Sequence, residues 1–279
     1  MSELPGTPAS LGAPANESTT PAESTPKVIL TKVIDEHILL ITMNRPQRRN
    51  AFDGATARAL EAVIDGYDAD TSLRCAVITG SDNVFSAGQD LIAAATGDMA
   101  VSQRRGGFGI MGQPPVKPII AAVEGHALAG GLELALSCDL IVSSETATMG
   151  LPETARSLVA LGGGCFRLPN RIPYHLAMEL ILTGKAWPAT RFAELGLINT
   201  ITAPGQALAA ALRLAAEVAA AGPLAVQASK QIASHAHDWT DAQAWQHQMQ
   251  YADSVLKSED LQEGLRAFAE KRAPVWKGR

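Results

Sequence analysis

The chain has 279 residues, of which 47% are hydrophobic, and its formal net charge at pH 7 is −5. This length suffices for one large domain or two smaller ones with a sizeable core. The acidic balance and scattered basic residues exclude nucleic acid as the main partner, and no apolar run is long enough to cross a membrane.

The three cysteines are Cys75, Cys138 and Cys165, and none has the CxxC spacing of a metal or redox site. Each lies in an apolar segment. We therefore expect buried, reduced thiols and a cytoplasmic protein.

Residues 1–26 are rich in Pro, Ser, Thr, Ala and Glu and contain no aromatic residue. A segment of this composition buries too little apolar surface to offset the entropy of ordering, which predicts a disordered tail. The tail lacks the features of a secretory signal or a mitochondrial transit peptide, and we assign it no function.

The next part of the chain alternates strands with helices. The predicted elements are strands over 28–35, 38–43 and 75–80, a helix from near Asp53 towards Asp68, and a second helix that begins near Asp90. The loop over residues 44–51 contains several arginines, which could hold phosphates or simply form a solvated basic loop. Residues 95–116 show no clear periodicity and are interpreted as a mobile loop of the kind that covers a pocket.

The stretch from Gly125 to Leu140 is the strongest candidate for chemistry. A buried strand over 118–123 leads to a tight corner at residues 129–131, after which a helix begins. The first N–H groups of a helix lack internal acceptors, so the corner presents donors where an oxyanion could sit. Glu133 lies one turn away and could serve acyl or enolate chemistry, although a first-turn glutamate is also ordinary helix stabilisation.

Glu153 follows Pro152 at another predicted helix start, where a carboxylate is again common.

Two other sequence motifs lack the surrounding residues or elements that their functions require. Ser86 is not in a nucleophile elbow, because Val84 holds the first glycine position. The segment Gly107–Gly112 matches G-x-G-x-x-G, but no strand precedes it and prolines follow, so a nucleotide-binding fold is disfavoured.

The C-terminal part of the chain is helical. Its predicted helices cover 206–220, 224–233, 240–257 and 259–271. Thr240 with Gln243 three residues later is the capping-box pattern. The sequence therefore predicts a tail over 1–26, an α/β body over 27–203 and a helical region over 204–279.

Four motifs in a fixed order resemble the crotonase, or enoyl-CoA hydratase/isomerase, superfamily. They are Met43-Asn-Arg-Pro46 with Asn50-Ala51, Phe85-Ser-Ala-Gly-Gln-Asp90, Gly125-His-Ala-Leu-Ala-Gly-Gly131 with Glu133, and Leu151-Pro-Glu153. The resemblance extends from about Val28 to the C-terminus. It implies an α/β spiral of repeated ββα units with a C-terminal helical region that builds trimers, often paired into hexamers.

The resemblance also implies the site residues. The backbone N–H groups of Gln89 and Gly130 correspond to the family's oxyanion hole, Glu133 to the glutamate that activates water, and Glu153 to the glutamate that delivers a proton. The residues assigned to coenzyme A binding are Arg48, Ala51, Ala87, Phe268 and Lys271, the last two from a neighbouring subunit. No metal and no separate cofactor are expected, because coenzyme A is part of the acyl-CoA thioester substrate.

Two glutamates favour hydration of a 2-enoyl-CoA, but other activities stay open. An enoyl-CoA isomerase needs one base, and some relatives hydrate or dehydrate functionalised acyl-CoAs. The segment over residues 157–169 differs from the sequence most common in short-chain hydratases at this position. A non-catalytic acyl-CoA binder is the alternative from another class.

Overall fold

The computed structural model describes residues 27–279, and the tail predicted over residues 1–26 lies outside this part. The helices are α1 (Gly54–Ala69), α2 (Leu91–Ala95), α3 (Gly130–Leu136), α4 (Gly164–Arg167), α5 (Tyr174–Thr183), α6 (Ala189–Glu194), α7 (Ala207–Ala220), α8 (Pro223–His235), α9 (Asp241–Leu256) and α10 (Glu259–Glu270). The strands are β1 (Ile29–Ile34), β2 (Ile38–Met43), β3 (Cys75–Gly80), β4 (Val101–Ser102), β5 (Gly106–Gly107), β6 (Ile119–Val123), β7 (His126–Leu128), β8 (Leu140–Ser144), β9 (Thr148–Gly150), β10 (Ala186–Pro188) and β11 (Thr200–Thr202).

Six strands form the main sheet in the order β1-β2-β3-β6-β8-β11, and β10-β9-β7 form a second sheet. In the main sheet β6 pairs with β8 in parallel, and in the second sheet β7 pairs with β9 in parallel. An isolated bridge between Ser86 and Ala127 extends the second sheet towards the segment after β3. Each turn of the chain thus adds one strand to each sheet. This arrangement confirms the predicted α/β class and the spiral of repeated units.

The main sheet is buried on both faces, as expected for parallel strands connected by helices. One face packs against α7, where Ala211 and Ala215 let the helix lie close to Val77. The other face joins the larger cluster that contains Ile78 and Leu60. Although the sequence groups α7 with the C-terminal helices, it completes the core of the sheet, and the division at residue 203 stays a prediction.

Residues 95–116, which were predicted to form a mobile loop, are held against α1 by ion pairs and hydrogen bonds. The guanidinium of the buried Arg105 pairs with Asp65 and Asp68 at 2.8 Å each. Glu61 accepts a hydrogen bond from the Arg105 N–H at 2.7 Å. These acidic partners precede Arg105 by 37 to 44 residues, so no local pattern indicated them.

The cysteines divide into two kinds. Cys75 and Cys138 are buried free thiols as predicted, and burial raises the pKa of Cys75 to about 12. Cys165 is exposed, so the expectation of burial is wrong for it. Its neighbours in the sequence are apolar, but the neighbouring Phe166 of the short helix α4 is exposed as well.

The helices α8, α9 and α10 bury few side chains within the chain. The predicted capping box is present, because Thr240 and Gln243 bond reciprocally at the start of α9. Every residue of α9 is at least partly exposed. The C-terminal tail folds back onto α10, where the buried Asp260 accepts hydrogen bonds from the N–H groups of Lys277 and Gly278.

Within residues 27–279, no single helix is long and apolar enough to span a membrane. The segments Ala207–Ala220 and Pro223–Asp238 reach that length and composition only together, and they are bent by 107° at their junction. The first of them is α7, whose alanine face is buried against the main sheet.

Candidate active site

The glycine corner predicted at residues 129–131 connects β7 to α3. Ala129 adopts φ +53° and ψ −128°, and its N–H donates to the Gly150 carbonyl at 2.9 Å. The helix begins at Gly130, whose N–H belongs to the first turn and so lacks an acceptor inside the helix. An added Cβ at Gly130 would lie 2.5 Å from Phe108 Cζ, so only glycine fits beside this ring.

Gln89 lies next to this corner because its segment pairs with Phe52. The Phe52 N–H donates to the Gly88 carbonyl at 2.9 Å, and the Asp90 N–H donates to the Phe52 carbonyl at 2.7 Å. An added Cβ at Gly88 would lie only 3.1 Å from the Gly130 nitrogen. In the part of the chain that the structure describes, neither the Gln89 N–H nor the Gly130 N–H has an acceptor. The two candidate oxyanion donors therefore lie on adjoining segments.

Ser86 connects these two segments, although no role was predicted for it. Its N–H donates to the His126 carbonyl at 2.9 Å, and its carbonyl accepts from the Leu128 N–H at 3.1 Å. Its Oγ donates to the Asn50 carbonyl at 2.8 Å and accepts from the Gly88 N–H at 3.2 Å. One buried serine thus holds the strand before the glycine corner and the turn that carries the other donor.

Glu133 lies in the first turn of α3 and is 5% exposed. The Gly164 N–H donates to its Oε1 at 2.9 Å, and an added Cβ at Gly162 would lie 2.7 Å from its Oε2. Burial raises the pKa of Glu133, while the N–H groups of Gly164 and Gly162 and the charge of Arg167 act to lower it. The carboxylate is thus desolvated yet supplied with donors, which suits a general base.

Glu153 immediately precedes the 3-10 turn Thr154–Arg156 and is 9% exposed. Its Oε2 is buried and has no hydrogen-bond partner among residues 27–279. Burial, with a smaller contribution from the charge of Glu133, raises the pKa of Glu153 to about 7 against the opposing charge of Arg156. A buried oxygen without a partner is costly, and such atoms are retained chiefly at functional sites.

The charge of Glu133 acts on Glu153 and raises its pKa. Neighbouring buried carboxylates do not both ionise freely, so such a pair favours one anion and one acid. Glu133 has the donors and the nearby cation, whereas Glu153 keeps its proton close to neutral pH. The arrangement therefore provides a general base and a general acid side by side.

Three of the five candidate coenzyme A contacts lie together after β2 and β3. The Ala51 N–H donates to the Arg48 carbonyl at 3.0 Å, and the Ala87 N–H donates to the Arg49 carbonyl at 3.0 Å. Ala51 is buried, Ala87 is half-buried and Arg48 is exposed. The loop thus leaves the Arg48 side chain open to solvent beside two small residues.

Arg45 of the same loop has a structural role instead. Its guanidinium pairs with Asp53 at 2.9 Å and with Asp90 at 3.1 Å. Both aspartates also cap helices, at the two helix starts that the sequence predicted near Asp53 and Asp90. The interpretation of this loop as a phosphate site therefore depends on the remaining arginines.

Phe268 and Lys271 lie at the end of α10. Phe268 is 87% exposed, and Lys271 ends the helix with φ +54°. No hydrogen bond or ion pair within residues 27–279 links Lys271 to the loop at 45–51. Their assignment to coenzyme A depends on a neighbouring subunit and stays a prediction.

Several residues of the site were missed by sequence reasoning. Phe108 stacks on Phe52 with ring centroids 4.2 Å apart and covers the glycine corner. An added Cβ at Gly162 would lie 2.5 Å from Met111 Sδ, so Met111 also adjoins the glutamate site. The run Gly162–Gly164 is a sequence signal that could have indicated a close backbone approach. It could not have indicated the partner, which is about thirty residues away in the sequence.

No group of three or more His, Cys, Asp or Glu residues that could hold a metal ion occurs within residues 27–279. The candidate chemistry described above uses side chains and backbone N–H groups only.

Comparisons with known proteins place these features in a family. A family model described as enoyl-CoA hydratase/isomerase matches residues 33–279. The chain is 40% identical over 250 residues to enoyl-CoA hydratase EchA19 of Mycobacterium tuberculosis, covering 87% of this chain and 94% of the relative. It is 39% identical over 251 residues to a carnitinyl-CoA dehydratase of Salmonella typhi, covering 87% and 95% of the two chains.

A solved structure gives the same result. The crystal structure of an enoyl-CoA hydratase from Mycobacterium tuberculosis H37Rv superposes with a TM-score of 0.87 at 47% identity, covering 90% of this chain and 99% of that one. The resemblance drawn from the four motifs is thereby confirmed. The chain is an enzyme that belongs to the enoyl-CoA hydratase/isomerase family of the crotonase superfamily.

Proposed function

We propose that this protein is an enoyl-CoA hydratase, which adds water syn across the 2,3 double bond of a 2-enoyl-CoA thioester. One observation carries the proposal. Glu133 and Glu153 are both buried, and the charge of Glu133 acts on Glu153, whose pKa is raised to about 7. Glu133 accepts a hydrogen bond from the Gly164 N–H. Hydration requires such a pair, because one group must take a proton and the other must give one.

In this mechanism Glu133 accepts a proton from water as the water oxygen bonds to the β-carbon. The thioester oxygen gains enolate charge, which the N–H groups of Gln89 and Gly130 stabilise. Glu153 then delivers its proton to the α-carbon. Each preorganised donor in such a hole contributes about 3 kcal/mol to the transition state. Protons exchange with solvent afterwards to restore the starting states of both glutamates.

The coenzyme A part of the substrate is proposed to lie along the loop that contains Arg48, Ala51 and Ala87. Phe268 and Lys271 of a neighbouring subunit complete this site in a homotrimer or a dimer of trimers. Their exposure at the end of α10 supports the arrangement, since a side chain that reaches another subunit's ligand must project from its own chain. The reaction needs no metal and no separate cofactor.

A second candidate is hydration or dehydration of a functionalised acyl-CoA. The observation that favours it is the 39% identity to a protein named carnitinyl-CoA dehydratase. The divergent segment at residues 157–169 lies next to the glutamate site, since Gly164 bonds Glu133. The same two glutamates would act, with a different acyl group held beside them.

A double-bond isomerase is disfavoured, because shuttling one proton between the α- and γ-carbons needs only one base. One of the two buried glutamates, Glu133 and Glu153, would then have no chemical role.

The test is turnover by the full chain on 2-enoyl-CoAs of increasing length, a 3-enoyl-CoA and a 3-hydroxyacyl-CoA that carries a cationic group. We expect the enoyl thioester absorbance to decrease as 2-enoyl-CoAs are hydrated. Glu133→Gln and Glu153→Gln should slow this decrease strongly. Faster reaction of the cationic substrate supports the second candidate. Isomerisation of the 3-enoyl-CoA without hydration of any 2-enoyl-CoA overturns the proposal.

A further inference from the structure

Arg167, in the last position of α4, is a half-buried arginine without an acidic partner. Its guanidinium donates to Ser137 Oγ at 2.9 Å, to the Gly162 carbonyl at 3.1 Å and to the Met111 carbonyl at 2.6 Å. Within residues 27–279 no carboxylate lies within ion-pair distance of it. Desolvating a cation is costly, so an arginine held only by neutral oxygens calls for an explanation.

Two of its three partners, Gly162 and Ser137, lie against Glu133, and the third, Met111, lies against Gly162. Gly162 belongs to the glycine run whose Gly164 N–H donates to Glu133 Oε1 at 2.9 Å. Ser137 Oγ donates to the Glu133 carbonyl at 2.8 Å. Met111 lies beside Gly162, as its Sδ would be 2.5 Å from a Cβ added there. Arg167 therefore joins the three segments that surround one carboxylate.

The packing leaves this guanidinium little freedom. An added Cβ at Gly163 would lie 2.7 Å from Arg167 Nη1, and the Arg167 N–H donates to the Gly163 carbonyl at 2.8 Å. A planar guanidinium can hold several oxygens in a fixed geometry, which a lysine cannot reproduce. The position thus suits a clamp on the glycine run.

We propose that Arg167 is a positioning residue for the reaction: it clamps the Gly162–Gly164 run against Glu133 and supplies the positive charge that balances this carboxylate. The inference rests on the proposed function, in which Glu133 is the base. Arg167 touches neither the reacting water nor the thioester in this account. It acts through the backbone that holds Glu133 and through its charge.

The charges around Glu133 determine whether loss of the Arg167 charge raises or lowers the pKa of Glu133. The charge of Arg167 lowers the pKa of Glu133, and Glu153 is the acidic group that faces it. The Cys165 thiol on α4 has its own pKa raised by burial and by both glutamates, so it stays neutral. Removing the positive charge favours the protonated form of Glu133, and a base then needs a higher pH to ionise.

Arg171 provides a matched control. It is a second arginine beside the end of α3, where its Nη1 donates to the Leu136 carbonyl at 2.6 Å. Burial lowers its pKa, as it does for Arg167. Arg171 makes no hydrogen bond to the run Gly162–Gly164 in the described structure. Both arginines thus donate to backbone carbonyls, although Arg171 is exposed, and only Arg167 contacts the glutamate site.

The experiment compares Arg167→Gln, Arg167→Lys and Arg171→Gln with the wild-type enzyme. In Arg167→Gln, kcat should fall roughly ten- to hundredfold, and the acid limb of kcat/KM should move to higher pH. The ratio of kcat/KM at pH 6 to that at pH 7.5 should fall about threefold relative to wild type. Arg167→Lys keeps the charge, so its acid limb should match wild type while kcat falls, and Arg171→Gln should leave the profile unchanged.

A measurement without turnover separates this inference from the proposed function. The side-chain carboxyl carbon of Glu133 is assigned by NMR as the signal absent in Glu133→Gln, and it should titrate at higher pH in Arg167→Gln. If no enoyl-CoA is hydrated, the proposed function fails while the titration still decides the effect of the Arg167 charge. An Arg167→Gln titration that coincides with wild type overturns the inference. If Arg167→Gln does not fold, an Arg167→Lys enzyme with wild-type kcat overturns it instead.

Discussion

The spiral core and the C-terminal helices α8–α10 differ in how completely their side chains are buried. In the core, even the ionisable side chains of Glu133 and Glu153 are almost completely buried. In the C-terminal helices, large apolar side chains are exposed, including Trp245 at 75% and Phe268 at 87%. The interior of the spiral core is therefore packed within one chain, whereas the C-terminal helices, like the surface segment around Leu161 and Phe166, leave apolar side chains uncovered.

This difference separates the two tasks that the account assigns to the molecule. Burial of polar groups in the core perturbs their pKa values, which acid–base chemistry requires. Exposed side chains of the size of Trp245 or Leu256 each offer about 2 kcal/mol if another surface covers them. On the proposed function, the covering surface is a neighbouring subunit, and the same helices complete its coenzyme A site.

Removing the C-terminal helices should have the largest effect. A chain that ends before Thr240 loses α9 and α10, and with them the proposed subunit contacts. We expect it to lose both the trimer and the hydratase activity and to aggregate through newly exposed apolar surface. Light scattering and turnover measure the outcome. A full-length chain that is active as a monomer at micromolar concentration would contradict the role given to these helices.

Changes to the glutamate pair should come next. Glu133→Gln and Glu153→Gln preserve shape but remove the base or the acid, so each should lower kcat by roughly 10²- to 10⁴-fold. Circular dichroism and sizing should remain unchanged, because neither carboxylate holds two elements together by an ion pair. The exposed Glu194→Gln on α6 serves as a control at wild-type activity. If Glu153→Gln hydrates any substrate at close to the wild-type rate, Glu153 is not the proton donor.

A side chain at the glycine corner should have a somewhat smaller effect. Gly130→Ala places a Cβ 2.5 Å from Phe108 Cζ, so either the ring or the oxyanion donor must move. Loss of one such donor lowers kcat by about 10²- to 10³-fold. Gly66→Ala is the control, because no atom lies within 4 Å of a Cβ added there. If both variants keep full activity, Gly130 is not a donor.

Loss of phosphate contacts should have the smallest effect. Arg48→Ala and Lys271→Ala should each raise KM a few-fold while leaving kcat nearly unchanged, since they bind ground and transition states alike. The effect should weaken as salt is added, because exposed charges are screened. Steady-state kinetics at two ionic strengths measure it. An unchanged KM at low salt in both variants shows that coenzyme A binds elsewhere.

The sequence was sufficient where the determinants are local. The caps at Asp90 and Thr240 and the glycine corner at residues 129–131 depend on residues within a few positions of each other, and the structure has all three. The family motifs added the order of these pieces and hence the spiral.

The rest depends on contacts between distant segments. Arg105 donates hydrogen bonds to acidic partners on α1 that precede it by 37 to 44 residues in the sequence. Glu133 accepts a hydrogen bond from the Gly164 N–H, 31 residues later in the sequence. Phe108 and Arg167 belong to the glutamate site only because the spiral stacks their segments beside it. No periodicity or spacing in the sequence predicts contacts between such distant segments. The exposure of Cys165 was not predicted for the same reason.

On the proposed function, the two buried glutamates work in opposite protonation states. The most direct test of these states is the pH dependence of kcat/KM for 2-enoyl-CoA hydration, which reports the ionisation of the free enzyme. Burial raises the pKa of Glu153 to about 7, so the proton needed at the α-carbon is present below that pH and lost above it. The account predicts that kcat/KM falls as pH rises through about 7, in an enzyme that stays folded, and that the residual activity of Glu153→Gln lacks this decline. A profile that stays level from pH 6 to pH 9 in the wild-type enzyme would contradict the account.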